Sequence, residues 1–183
     1  PSTTAGGAAT GAGSGPTLSE ALRGSVTAYT TRVGNGPLPT ESKGSDGERL
    51  RALGGEFGAV TGRPRRCGWF DAMVVRYSVR VNGLTHLAVT KLDVLDTLDE
   101  LPICTGYTLG GAVLDELPDN VKTLERVEPV YETLPGWRAD TGGARRVADL
   151  PANARRYLDR LEQEAGAPIR YIGVGTKREQ LIE

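Results

Sequence analysis

The chain has 183 residues and a formal net charge of −1, from 22 Lys and Arg against 23 Asp and Glu, so no overall field draws in nucleic acid or an anionic membrane, and any anion site must be local. With glycine counted in, about half of the residues are apolar, which excludes a disordered chain and predicts one globular domain. No apolar run nears the roughly 18 residues of a spanning helix and no basic-then-apolar leader opens the sequence, so a soluble, unexported protein is expected.

The sequence opens without Met on Pro1-Ser2-Thr3-Thr4-Ala5-Gly6-Gly7, as if entering mid-domain, and a fragment is expected. Residues 1–16 hold five glycines among Ala, Ser and Thr, the composition of a flexible linker. Thr17-x-x-Glu20 then reads as a capping box, and Leu18, Leu22, Val26 and Tyr29 follow at helical spacing until Gly34-Asn35-Gly36-Pro37, which predicts a first helix. Ser45-x-x-Glu48 repeats the cap ahead of Leu50, Leu53 and Phe57, a second helix. Over 70–82 an alternating pattern competes with Phe70, Met73, Val74, Tyr77 and Val81 at helical spacing, and Gly83 just beyond favours the helix.

Leu84 to Val89 has the look of a buried strand and runs into Thr90-Lys91-Leu92-Asp93 at its carboxyl end. Residues 102–108 and 125–133 read as further strands, with Gly110-Gly111 as a turn. Pro151 opens the clearest helix, with Ala154, Tyr157, Leu158, Leu161 and Ala165 on one face and Gly166 and Pro168 as stops, followed by a strand from Ile169 to Val174. The pattern predicts an α/β fold, a largely parallel sheet flanked by helices, whose ligands gather beyond the carboxyl ends of the strands. Cys67 and Cys104 fit no metal spacing and read as reduced thiols.

Three local features could carry chemistry. Thr61-Gly62-Arg63-Pro64-Arg65-Arg66 concentrates three guanidiniums, whose planar forks suit carboxylates and phosphates; its plain alternative is a solvated basic loop. In Thr90-Lys91-Leu92-Asp93 a carboxylate at a strand end can accept from the N1–H and exocyclic amine of guanine, while the lysine stem packs on the base and its donors reach nearby oxygens; the alternative is a strand-end salt bridge. Gly173-Val174-Gly175-Thr176-Lys177 ends the last strand with bare backbone that could lie against a planar ring, or is simply a strand exit. Adjacent strand ends would turn the second and third features into one base pocket. His86 receives no role, and Trp69, Trp137, Tyr107 and Tyr131 are too scattered for a single-stranded nucleic-acid platform.

Together the features resemble the C-terminal part of the adenylosuccinate synthetase family. The resemblance rests on Thr3-Thr4-Ala5-Gly6-Gly7, Thr31-Arg32-Val33-Gly34-Asn35-Gly36-Pro37, Gly55-Glu56-Phe57-Gly58, Thr61 to Phe70, Thr90 to Asp96 and Val127 to Trp137. It implies part of a P-loop-NTPase-like ligase fold whose N-terminal part is missing, in a single C-terminal piece. Within that piece, 1–68 would be the substrate-loop region and 69–183 the guanine-nucleotide-binding region. The Gly-rich opening would then be a substrate loop.

The activity implied is GTP-dependent joining of L-aspartate to inosine monophosphate (IMP), with Mg2+, in a cytoplasmic homodimer that binds neither nucleic acid nor membrane. By the same resemblance, Ala59, Val60, Thr61, Gly62, Arg63, Pro64 and Arg65 form the loop that closes on aspartate. Thr61 would help by hydrogen bonding, Arg63 would also reach the IMP ribose, and Arg65 would face the aspartate carboxylate or the GTP phosphates. Val33 would touch IMP through its backbone. Lys91, Leu92 and Asp93 would hold guanine, with Gly173, Val174 and Gly175 under the base. The family often has Asn at the place of Ser2 and Ser-Thr-Gly-Pro at the place of Gly173 to Thr176, so Gly173 offers backbone contact alone. Its phosphate loop, catalytic Asp and His and magnesium ligands have no counterpart in these residues, which implies a piece inactive alone. A stand-alone guanine-nucleotide module without catalysis is the alternative.

Overall fold

The computed structural model describes residues 4–13 and 21–183. The Gly-rich opening is a short helix, α1 (Ala5–Gly11), rather than a loop: Thr4 Oγ1 accepts from the Gly7 amide, and the Ala5 amide donates to Asn82 Oδ1 at 2.9 Å, which docks the helix start on a distant element.

The first predicted helix is corrected. Its cap, Thr17 to Glu20, lies outside the described residues, and Arg23–Thr27 is a strand, β1, followed by β2 (Thr30–Arg32). Val26, Thr27, Thr30 and Thr31 are β-branched, which suits a pleated surface, and Gly24 packs so closely that a Cβ there would meet Leu84 Cδ1 at 2.4 Å. The spacing of Leu22, Val26 and Tyr29 mimics a helix only because a strand and a turn carry it.

Helix α2 (Ser45–Gly54) forms where expected, yet its N-cap is Gly44 with no side-chain cap bond. Leu50 is buried, whereas Leu53 is half exposed and Phe57 lies past the helix end. Two short strands, β3 (Arg66–Gly68) and β4 (Phe70–Asp71), lead into α3 (Ala72–Asn82), which is capped by Asp71, a cap the sequence reading lacked, and stopped, as expected, by Gly83 in the left-handed region. Then come β5 (His86–Thr90), β6 (Glu100–Leu109), β7 (Ala112–Leu114), the single-turn α4 (Val121–Leu124) and β8 (Glu128–Pro135). The chain closes with α5 (Ala152–Ala165), β9 (Ile169–Gly173) and β10 (Leu181–Ile182).

The largely parallel sheet has the order β1-β5-β9-β10: β1, β5 and β9 are parallel, and β10 turns back antiparallel. A second sheet is built on β6, with β4 parallel to it and β7 and β8 antiparallel, the β6 to β7 turn being Gly110-Gly111 at positive φ. A smaller pair, β2 with β3, sets Arg66 opposite Arg32. The main core runs under both sheets and takes in Tyr29, Leu50, Phe70, Leu92, Leu95, Leu101, Ile103 and the inner face of α5. Buried Tyr157 on α5 donates to Ala28 O at 2.7 Å, tying that helix to the β1–β2 turn. Cys67 and Cys104 are buried free thiols in separate clusters. Among the described residues no helix is long and apolar enough to cross a membrane.

Candidate functional site

The carboxyl ends of β5 and β9 meet. Parallel pairing sets Val89 beside Ile172, so Thr90 comes beside Gly173, and a Cβ on Gly173 would stand 3.4 Å from Thr90 Cα. Lys91 to Asp93 and Gly173 to Gly175 are therefore neighbours, as a shared base pocket requires. Leu92 and Val174 are fully buried, so each offers only its backbone.

Beyond β5 the chain bends sharply. Lys91 takes φ +62°, a left-handed backbone unusual for a residue with a Cβ, and Leu92–Leu95 form a 3-10 turn. Asp93 opens into a cleft of about 610 Å3 shared with Arg49, Asp96, Thr97, Arg138, Ala139 and Asp140. Burial, with Asp96 and Asp140 nearby, pushes the Asp93 carboxyl above its ordinary value. The far wall of this cleft is pinned by Asp96, which accepts from Trp137 Nε1 at 2.7 Å, from the Thr141 amide at 2.7 Å and from the Thr141 hydroxyl. The glycines of the β9 end are not among those walls. Between them Val174 N donates to Gln180 O at 2.9 Å, and the Gln180 side chain accepts from the Lys177 amide and donates to Gly142 O.

Lys91 makes the strand-end salt bridge that is the plain alternative for this motif. Lys91 Nζ does not reach toward the cleft; it donates to Gly54 O at 2.8 Å and to Glu56 Oε1 at 2.5 Å, because the left-handed turn aims the stem back at α2. Its stem remains available for packing, while its ammonium is occupied.

The arginine cluster is also three residues with three fates. Arg66 makes a two-pronged ion pair with Glu41, at 2.9 and 2.6 Å, and donates to Gly36 O, so it braces β3 rather than binding an anion. Arg65 donates Nη1 to Glu56 Oε2 at 2.9 Å, and its Nε is buried without a hydrogen-bond partner. Arg63 is exposed on a loop closed at its base by the Phe57–Pro64 bridge and by Gly58 N to Arg63 O at 2.8 Å, with Gly62 at φ +62°. Ala59, Val60, Thr61, Gly62 and Pro64 share that exposure, Val60 at 97%. Thr61 Oγ1 accepts the Arg63 amide within the loop. Val33 is exposed just after β2.

Glu56 carried no role in the sequence reading, although the glycines on either side of Gly55-Glu56-Phe57-Gly58 marked the segment. It is 1% exposed and takes donors from Tyr29, Arg65 and Lys91. Burial raises its carboxyl, but hydrogen bonds from Lys91 and Tyr29 and the charges of Lys91 and Arg65 outweigh that and hold it below the usual range. The same neighbourhood pushes the Tyr29 phenol up, by burial first and then by Glu56. Among the described residues no group of three or more His, Cys, Asp or Glu is placed to hold a metal ion.

The chain is similar to known proteins over nearly its whole length. Residues 1–182 match the family model for adenylosuccinate synthetase. The adenylosuccinate synthetases of Pelobacter propionicus and Geotalea daltonii are 57% and 56% identical over 181 residues, which is 99% of this chain and 42% of each relative. A solved structure of fully ligated adenylosuccinate synthetase from Plasmodium falciparum superposes with a TM-score of 0.95 at 38% identity, covering 98% of this chain and 43% of that one. The chain thus spans less than half the length of the relatives it matches.

Proposed function

The chain belongs to the adenylosuccinate synthetase family, and from that membership we propose that it supplies the guanine end and the aspartate loop of a GTP-dependent ligase joining L-aspartate to IMP. The observation that carries the reading is the adjacency of two strand ends: Lys91-Leu92-Asp93 after β5 and Gly173-Val174-Gly175 after β9. Ligands of parallel α/β sheets gather there.

In this reading Asp93 accepts from the N1–H and exocyclic amine of guanine, a donor pair that adenine lacks. The Lys91 stem lies along the base with its ammonium anchored behind it, and the backbone of Gly173 to Gly175 supports the opposite side. Arg65, with its unpartnered buried Nε, offers a donor to the aspartate carboxylate or to a phosphate, and exposed Arg63 reaches the IMP ribose. Val33 contributes a backbone contact to IMP. The loop from Ala59 to Arg65 is anchored at its base and open at its tip, which suits closure over a small substrate.

The proposed reaction moves the GTP γ-phosphoryl to O6 of IMP, releasing GDP, and the aspartate amine then attacks C6, forming the C6–N bond as the C6–O6 bond breaks and phosphate leaves. Among the described residues no group of three or more His, Cys, Asp or Glu is gathered to hold the Mg2+ of the family. The 183 residues are read as a substrate-loop region (1–68) and a guanine-binding region (69–183) that do not ligate alone, and the parent enzyme as a cytoplasmic homodimer.

The test is a chemical-shift titration with GDP and then ADP, repeated on Asp93→Asn. GDP should move amides near Lys91–Asp93 and Gly173–Gly175, ADP should not, and Asp93→Asn should erase the difference. Equal responses to both nucleotides would sink the reading.

A further inference from the structure

Glu56 gathers three donors from three parts of the chain that are far apart in sequence. Tyr29, between β1 and β2, donates to Oε1 at 2.6 Å; Lys91, just past β5, donates to the same oxygen; and Arg65, where the exposed loop returns to β3, donates to Oε2. The carboxylate is thus divided, one oxygen holding the strand end and the other holding the loop. Its backbone is fixed as well: the Glu56 amide donates to Arg51 O, and Glu56 O accepts the Arg65 amide, each at 2.9 Å.

Three further observations give the arrangement leverage. Two cations share one buried carboxylate, which leaves one positive charge for a ligand to meet. Arg65 Nε is a buried donor without a partner. Lys91 sits in a backbone conformation that a residue with a Cβ avoids unless its surroundings hold it, and those surroundings are Glu56 and Gly54 O.

We propose that Glu56 is a positioning residue that couples the loop carrying Arg63 and Arg65 to the strand end carrying Lys91 and Asp93, so that occupation of either shifts the other. An oxyanion that draws Arg65 leaves more of the carboxylate to Lys91, and a base that displaces the Lys91 stem frees Oε1 and lets the shared carboxylate turn toward Arg65. The influence is reciprocal. The proposal rests on the functional reading above only for the identity of the ligands.

Amide hydrogen exchange of the 183-residue chain tests the coupling with no ligand present. Lys91→Met keeps the stem and removes the ammonium; the carboxylate is then left to Arg65, which should tighten the base of the loop and slow exchange of the Gly58 and Gly62 amides roughly tenfold. In a Glu56→Gln background the same substitution should leave those amides unchanged. Tyr29→Phe removes a bond to Glu56 without touching either cation, so it should lower the melting temperature yet preserve the Lys91-to-loop effect, which a merely structural role for Glu56 would not. Loop amides that respond to Lys91→Met equally in both backgrounds overturn the proposal. Where Glu56→Gln does not fold, Arg65→Met read at the Val94 and Asp96 amides closes the cycle from the other side, and no change there also overturns it. Added GDP should shift both segments in the wild type and only Lys91–Asp93 in Glu56→Gln. If GDP shifts neither in the wild type, the guanine reading fails while the exchange cycle still decides the role of Glu56.

Discussion

Gly173 lies flat against Thr90, with room for a Cβ at an ordinary contact distance of 3.4 Å from Thr90 Cα and 3.7 Å from its side chain. The site therefore lacks a side chain there without needing to lack one. Gly173→Ser, which installs the residue that the resembled family often carries, should fold with an unchanged melting temperature and bind GDP a few-fold tighter through one added hydrogen bond. A drop in both stability and affinity would show that the two strand ends are closer than this contact implies.

Gly175 behaves in the opposite way. A Cβ there would fall 2.3 Å from the Gln180 carboxamide, which holds both the Lys177 amide and Gly142 O. Gly175→Ala should displace Gln180 and cost about 1–2 kcal/mol of stability, with new mobility in the Asp140–Gly142 segment read by amide exchange. Unchanged protection at Gly142 would refute the assignment of Gln180 as that segment's clamp.

Arg63 and Arg66 are two residues of one basic run with different duties, which thermal unfolding separates. Arg66→Ala strands Glu41, which is mostly buried, and should cost about 1–3 kcal/mol, whereas Arg63→Ala at an exposed position should stay within about 0.5 kcal/mol. Equal losses would contradict the division.

If Asp93 reads guanine as proposed, the preference carries a pH signature. Its accepting form is the ionised one, and burial with Asp96 and Asp140 nearby lifts its carboxyl above the ordinary 3.8. Discrimination should be complete at neutral pH and fade as pH falls through the raised value, sooner than an unperturbed aspartate would allow. Asp93→Asn should lose about 10–100-fold of GDP preference and the pH dependence with it, measured by titrations from pH 7 downward. A preference that survives in Asp93→Asn would assign discrimination elsewhere.

Much of the fold was legible because the signals were local. Gly83 and Gly166 stop α3 and α5 in the left-handed region, and the apolar face of α5 from Ala154 to Ala165 is buried as its spacing required. The misreading of β1 came from Leu22, Val26 and Tyr29, whose spacing is satisfied equally by a helix and by a strand with a turn; what decides it is pairing with β5, sixty residues away. The adjacency of the Lys91–Asp93 and Gly173–Gly175 segments was a condition the sequence could only pose, because β6, β7 and β8 lie between β5 and β9 in the chain and pair in another sheet. The partners of Lys91, Arg65 and Arg66 were not legible, because Glu41 and Glu56 reach them only once β2, β3 and the end of α2 have come together. A basic run states how much charge is present, and the fold decides which of it is spent internally.

Trp137 donates its indole N–H to Asp96, three residues from Asp93, and packs its ring 5.9 Å from that of Tyr157. The indole is thus hydrogen-bonded to a wall of the cleft that Asp93 opens into, and its emission should change when a ligand enters. Filling the cleft or protonating Asp96 alters the field across the ring, and Trp137→Phe should remove that response. Occupancy of the cleft would then be readable in a cuvette without any label.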